Sequence, residues 1–576
     1  MRQSDTLPGD ILKMANTTGP WAEHYPEGIE WSAPLDQCPL HHYIESSAKQ
    51  FGDRPAVDFL DRKTTYAELE ALVNRAAKGL QALGASKGTR IGLCLPNTPY
   101  SVIFYFATLK IGATVVNFNP LYVEREIAFQ IDDSETEIMV TMDLEVIYPK
   151  IAAMLAQTPS LKTIVVCPMS QILPPIKGLL FRVLKRKDIA TVRENQAVAY
   201  HQLMNNDGHP DTVDIDIDED IAVLQYTGGT TGQPKGAMLT HANLAANVSQ
   251  VKLWFPNLAP GEEKVLGVLP LFHVFAMTGV MNFAVATGAE MILLPRYELE
   301  QTLKTINKKA PTLFPAVPTI YTSINNAPNL SKYNLSAIRY CISGGAPLPL
   351  EVKNQFEQLT GCRLVEGYGL SECSPVATCN ALQGINKEGS IGLPVPGTEL
   401  SIHDIDDPEQ ILGPNDRGEV WISGPQVMKG YWRREEETQK ALPGGWLRTG
   451  DTGYMDEEGH FFLVDRLKDL ILCSGYNVYP RNIEEAIYLH SAVAEVTVIG
   501  IADEYRGEAP KAFVKLKEGD TLNEMDLIEF LADKLSKIEM PSVIEFRSEL
   551  PKTLIGKLSK KELIAEELAK IENSKG

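Results

Sequence analysis

Tyr226-Thr227-Gly228-Gly229-Thr230-Thr231-Gly232-Gln233-Pro234-Lys235-Gly236 is the most informative stretch of the chain. It follows an apolar run at 221–224, so it reads as the turn after a strand. Its four glycines let backbone amides turn inward and come close to anionic oxygens. Three threonine hydroxyls add donors, and Lys235 adds a point charge. Such a loop suits a polyphosphate. A Walker A loop is excluded, because there the lysine follows glycine and precedes Ser or Thr, whereas Lys235 stands between Pro234 and Gly236. A kinase-type glycine loop is absent as well.

The sequence around this loop alternates in type. An apolar run at 90–95 is broken by Pro96-Asn97-Thr98-Pro99, followed by an apolar helix over 100–112 and a strand over 113–118. Further strands are expected at 137–141, 163–167, 291–294, 312–316 and 339–343. Strand–helix–strand order implies parallel sheet, so the first 400 residues or so read as an α/β body. From Ser401 the texture changes to short strands and Gly/Pro/Asp turns, a small β region. After Asp465 a compact α+β unit is expected, with strands at 471–478, 495–501, 511–514 and 543–546. Its helices fall at 482–490, 524–535 and 559–569. The fold class is therefore α/β, with a large N-terminal body over 1–464, a charged link over 465–470 and a small C-terminal domain over 471–576.

The chain has 576 residues, with 54 Lys plus Arg against 74 Asp plus Glu, a net charge of −20. That balance argues against a nucleic-acid-coating protein, so no nucleic-acid partner is expected. An anionic substrate then needs locally supplied cations and backbone donors. Eight cysteines form no C-x-x-C pair, as befits reduced thiols in a cytoplasmic protein. The polar start at 1–10 carries no secretory signal. Residues 265–289 lack charge, but Pro270, His273, Asn282 and Gly288 interrupt them, so a buried strand, loop and core helix are expected rather than a membrane span.

With these features in place, the phosphate-loop string resembles the signature of the adenylate-forming superfamily, which includes acyl- and aryl-CoA ligases, peptide-synthetase adenylation domains and luciferases. Further motifs resemble that family in order. Ser343-Gly344-Gly345-Ala346-Pro347 resembles the loop laid against adenine. Glu366-Gly367-Tyr368-Gly369-Leu370-Ser371-Glu372 resembles the second nucleotide motif. The resemblance implies that Tyr368 stacks on adenine, Ser371 offers a hydroxyl, and Glu372 with Thr227 holds Mg²⁺. It assigns ATP and AMP contacts to Thr227, Gly228, Gly229, Thr230, Thr231, Gly232, Lys235, Gly344, Gly345, Ala346, Glu366, Gly367, Tyr368, Gly369 and Ser371. Asp451, in Arg448-Thr449-Gly450-Asp451, would accept the ribose hydroxyls, and Arg466 would reach the ribose and phosphates. Lys468 would be the pivot of a mobile C-terminal lid. Gly475 and Tyr476 would line the channel for the pantetheine arm of CoA, and Lys557 would be the catalytic lysine.

Within the superfamily, Val116-Asn117-Phe118-Asn119-Pro120-Leu121-Tyr122 and Leu269-Pro270-Leu271-Phe272-His273-Val274-Phe275-Ala276 resemble bacterial long-chain fatty acid–CoA ligases. So does Gly392-Leu393-Pro394-Val395-Pro396-Gly397. His273 would stand beside the acyl and pantetheine pockets. No insertion separates Arg466 from Gly475, which favours CoA as acceptor. The expected activity is ATP-dependent conversion of a long-chain acid to acyl-adenylate and then acyl-CoA. Rivals are a medium-chain or aryl-acid CoA ligase, or a non-catalytic fatty-acid or nucleotide-binding protein. Residues 172–187 carry Lys177, Arg182, Lys185, Arg186 and Lys187 and no acid, with Ile176, Leu179, Leu180, Val183 and Leu184 at helical spacing. This amphipathic stretch is expected to meet anionic lipid on the inner face of the cell membrane. The sequence fixes neither chain-length preference nor oligomeric state, and a homodimer is left open.

Overall fold

The structure is a computed structural model, which describes residues 19–192, 197–227, 234–255, 257–473, 476–503, 506–553 and 556–574. An eight-stranded sheet forms the centre of the body. Its order is Gly430–Tyr431, Lys235–Thr240, Ile221–Thr227, Thr114–Asn117, Arg90–Leu93, Ile138–Met142, Thr163–Cys167 and Val198–Ala199. The strands from Ile221–Thr227 through Val198–Ala199 run parallel. Lys235–Thr240 and then Gly430–Tyr431 are added antiparallel at one edge. The parallel strands Thr114–Asn117 and Ile138–Met142 are buried at every position, as strands covered on both faces must be. Pro99–Lys110, the helix between two of them, is buried from Pro99 to Leu109.

A second sheet contains Lys264–Gly267, Glu290–Leu293, Pro55–Phe59 and Arg62–Thr65. A parallel strand was expected at 312–316. Only single bridges form there, from Leu313 to Val265 and Tyr340 and from Ala316 to Ser343. They connect this sheet to the parallel pair Tyr340–Ser343 and Arg363–Gly369. Pro315 lies between the bridged residues and has no N–H to donate, which is why the ladder is interrupted.

The stretch 265–289 folds as expected, into the strand Lys264–Gly267, a loop and a buried helical run that includes the π-helical turn Met277–Asn282. Among the described residues no helix is long and apolar enough to cross a membrane. Asn97 anchors the loop. Its side chain donates to the Leu269 carbonyl at 2.7 Å and accepts from Leu271 N at 2.8 Å, immediately before His273.

The antiparallel sheet Glu399–His403, Gly418–Ser423, Leu447–Met455 and Phe461–Arg466 completes the body. Beyond it, separate apolar cores gather Ile471, Val498, Val514, Leu527 and Ile544, and Ile499, Phe513, Leu550 and Leu563. The single strand expected at 471–478 is two short strands, Ile471–Cys473 and Tyr476–Val478, paired antiparallel with Cys473 opposite Tyr476. The two strands make a hairpin, and the residues between them, 474 and 475, lie outside the described ones.

Candidate active site

Four body elements and one loop of the C-terminal unit converge on a single cleft. Thr227 ends the strand Ile221–Thr227 and pairs with Lys235, which begins the returning strand. The loop positions Gly228, Gly229, Thr230, Thr231 and Gly232 lie outside the described residues. Gly344, Gly345 and Ala346 follow the strand Tyr340–Ser343. Glu366, Gly367, Tyr368 and Gly369 end the neighbouring strand, and Ser371 and Glu372 form a 3-10 turn after it. Parallel pairing puts both strand ends at the same edge, where ligands of open α/β sheets bind. Gly369 admits no side chain, since a Cβ there would collide with the Pro375 carbonyl.

Asp451 and Arg466 are cross-strand partners in the antiparallel sheet, which explains their ion pair at 3.2 Å. Tyr368 donates its hydroxyl to the other Asp451 oxygen at 2.7 Å. Burial pushes the Asp451 carboxyl above its ordinary range, opposed by Arg466 and the tyrosine hydroxyl. The loop ahead of it is shaped by buried Glu419, which accepts from Arg448 Nε and Nη2 at 3.1 and 2.7 Å and from Gly450 N at 3.1 Å. Glu366 is buried beside the adenine-type loop and accepts from Leu348 N at 3.2 Å. Desolvation raises its carboxyl to about 7, against the pull of Arg481 from the C-terminal unit.

Lys557 reaches this cleft from the C-terminal unit. The Thr319 hydroxyl donates to the Gly556 carbonyl at 2.6 Å, fixing the loop on the body. A Cβ added to Gly345 would lie 2.5 Å from Lys557 Cε and 3.1 Å from its Nζ. Burial and the charge of Arg466 lower the Lys557 ammonium to about 8, although Asp451 acts in the opposite direction. His273 feels that ammonium too, and burial with this charge lowers its imidazole to about 3. It is therefore neutral, and because Nδ1 accepts from Phe275 N at 3.3 Å, Nε2 carries the proton.

Lys468 lies in the 3-10 turn Leu467–Asp469 that joins the two parts. Tyr476 is exposed on the hairpin, and Gly475 lies outside the described residues. Tyr431, Thr319, Glu419 and Arg481 were not found by sequence reasoning. Each acts through a partner more than 28 residues away, so no local spacing marks it.

An apolar cavity adjoins the cleft. Trp254, Phe255, Phe275, Gly279, Phe283 and Phe314 are among its walls. Phe275 also packs on the adenine-type loop, 3.1 Å from where a Gly344 Cβ would stand.

A nucleotide-type cleft at a sheet edge, an apolar chamber beside it and a lysine brought in by a second unit define a two-part, substrate-activating architecture. Residues 44–432 match the model of the AMP-binding enzyme family, and 482–557 match that of the AMP-binding enzyme C-terminal domain. The chain belongs to this AMP-binding enzyme family. The long-chain-fatty-acid–CoA ligase of Bacillus subtilis (strain 168) is 43% identical over 553 residues, 95% of this chain and 98% of that protein. A ligase of the same name from Escherichia coli O157:H7 is 36% identical, covering 96% of this chain and 99% of its own. Among solved structures, ATP-bound MatB from Rhodopseudomonas palustris superposes with a TM-score of 0.80 at 28% identity, over 91% of this chain and 98% of that one.

The contact between Gly345 and Lys557 gives a direct test of the closed arrangement. At φ +83° Gly345 favours glycine, and a methyl group there would meet the end of the Lys557 side chain. Gly345→Ala is expected to push the Lys557 ammonium aside, read as a loss of adenylation rate. An unchanged rate would contradict the contact.

Proposed function

We propose that this protein is an AMP-forming long-chain fatty acid–CoA ligase. The supporting observation is the apolar cavity that ends at the adenine-type loop. Its walls offer an aliphatic chain burial without polar groups to desolvate. The fatty acid would enter with its carboxylate at the Gly344–Phe275 end, beside the phosphates of ATP.

The chemistry begins with an electrostatic problem. A carboxylate oxygen must attack the α-phosphorus of a polyanion, in a chain whose own net charge is −20. Lys235, Arg466 and Lys557 supply the local positive charge, and the phosphate loop supplies donors. Thr227 and Glu372 would hold Mg²⁺. The 3-10 turn bearing Glu372 packs against the strand that ends at Thr227, and hydroxyl and carboxylate oxygens suit a hard cation. That ion would neutralise phosphate charge. Asp451 takes the ribose hydroxyls, exchanging its bond from Tyr368 for bonds from the sugar. Attack forms the acyl-adenylate and expels pyrophosphate.

For the second step the C-terminal unit turns about 465–470, Lys557 leaves, and the hairpin carrying Tyr476 enters. In the closed arrangement that hairpin presents Leu472 and Tyr476 to solvent, 54% and 63% exposed, a face that the CoA arm would cover. The CoA sulfur then attacks the acyl carbon, and AMP departs.

The helix Pro175–Leu184 is the membrane-facing element of this reading. Gly178 is its one buried residue, while Ile176 and Leu184 are 77% and 74% exposed and Leu179, Leu180 and Val183 are exposed beside them. Lys177 is tied to Asp61 at 2.9 Å and Arg182 to Ser170 at 2.8 Å, which fixes the helix on the body with its aliphatic side outward. Lys185, Arg186 and Lys187 flank it, an arrangement suited to an anionic bilayer from which a long-chain acid is drawn.

The test of the activity is AMP formation with palmitate, octanoate or coumarate, with and without CoA. Palmitoyl-CoA is the expected main product, and a preference for octanoate or coumarate would overturn the long-chain assignment. Lys557 is charged below about pH 8 and neutral above it, so kcat/KM for ATP in the adenylation step should fall as pH rises through that value. Thioester formation from supplied acyl-adenylate should lack this limb; the same limb in both steps would contradict the role given to Lys557.

For the membrane, wild type is expected to sediment with phosphatidylglycerol vesicles, and a Leu179→Gln/Leu184→Gln variant to remain largely in the supernatant. Equal sedimentation would exclude this helix as the contact.

A further inference from the structure

The segment from Met428 to Trp432 joins the two parts of the cleft that the proposed function assigns to MgATP. Met428 N donates to the Glu372 carbonyl at 2.8 Å, Lys429 N to the Met238 carbonyl at 2.9 Å, and Trp432 N to the Gly236 carbonyl at 2.8 Å. Gly430 and Tyr431 pair antiparallel with Met238 and Ala237, on the strand that leaves the phosphate loop. The result is a two-residue edge strand whose backbone holds the metal-type carboxylate turn on one side and the loop strand on the other.

Tyr431 occupies the middle of this bridge. Its hydroxyl donates to Glu372 Oε1 at 2.7 Å. The Lys235 ammonium stands over the same ring, 5.0 Å from its centroid. One aromatic side chain therefore touches both the lysine that follows the phosphate loop and the carboxylate placed to hold a metal. The ring engages the ammonium through its π-face and the hydroxyl engages the carboxylate, so one side chain orients both charges. The hydroxyl uses one carboxylate oxygen, leaving Oε2 of Glu372 for a cation.

We propose that Tyr431 is a positioning residue for the metal–nucleotide complex, orienting the Glu372 carboxylate through its hydroxyl and holding the Lys235 ammonium through its ring. The inference rests on the reading of Glu372 as a metal ligand and Lys235 as a phosphate ligand. It makes separate demands on the two halves of the side chain. Removal of the hydroxyl alone acts on the metal. Removal of the ring acts on metal and phosphate together.

The experiment uses the full-length protein with ATP and no acid, so that no turnover occurs. Mn²⁺ binding to the protein–ATP complex is followed by electron paramagnetic resonance, and ATP binding in EDTA by calorimetry. Tyr431→Phe is expected to weaken Mn²⁺ binding about tenfold, the order of one lost hydrogen bond to a charged group, while ATP binding in EDTA stays at the wild-type value. Tyr431→Leu is expected to weaken Mn²⁺ binding similarly and, in addition, ATP binding in EDTA by about threefold, the order of one cation–π contact. Thermal melting of each variant checks that the fold is retained.

Wild-type Mn²⁺ affinity in Tyr431→Phe would overturn the proposal. Equal loss of Mn²⁺ and metal-free ATP binding in that variant would overturn it too, because the residue would then act only as packing. If wild type binds Mn²⁺ with ATP and the variants behave as expected, yet no acid yields acyl-CoA, the ligase assignment fails and the role of Tyr431 stands.

Discussion

Lys557 and Arg466 both act on the single carboxylate Asp451. Arg466 pairs with it directly, and burial together with the Arg466 charge lowers the Lys557 ammonium. A site with surplus positive charge favours a polyanion, so the closed arrangement is most stable when phosphates share it. This constraint governs much of the rest. Gly345 must lack a side chain for Lys557 to pass, and Thr319 must hold the Gly556 carbonyl for the loop to stay docked. The antiparallel register must place Arg466 opposite Asp451.

The second constraint is that this charged cleft adjoins an apolar chamber. Phe275 is the partition: one side of it lines the chamber and another packs on Gly344. His273, two residues earlier, is kept neutral by burial and by the Lys557 ammonium, so no additional charge stands where an acyl carbonyl would sit. The π-helical turn at Met277–Asn282 widens the helical wall at this point, and Gly279 within it leaves the chamber open. Under the proposed function a greasy chain and a triphosphate would thus be received side by side, each in the medium that suits it.

Much of this was legible in the sequence, for identifiable reasons. Buried parallel strands such as Thr163–Cys167 are short, β-branched and bounded by turn residues, so their limits could be read directly. The stretch 312–316 forms only single bridges although its apolar pattern says strand, since Pro315 removes one donor from the ladder. The hairpin at 471–478 misled because an apolar pattern does not show where a chain turns back. Tyr431, Glu419 and Arg481 were invisible for a different reason. Each is chemically ordinary in sequence and gains its role from a partner supplied by sheet register or by docking of the C-terminal unit.

The central claim is that Lys557 serves the adenylation step and is withdrawn for the step that follows. The most direct measurement takes Lys557→Ala through the two half-reactions separately, as palmitate-dependent exchange of pyrophosphate into ATP and as palmitoyl-CoA formation from supplied palmitoyl-adenylate. The account predicts a loss of roughly a thousandfold in the first, the order seen when one preorganised charge-stabilising group is removed, and little change in the second. Equal losses in both half-reactions would contradict it.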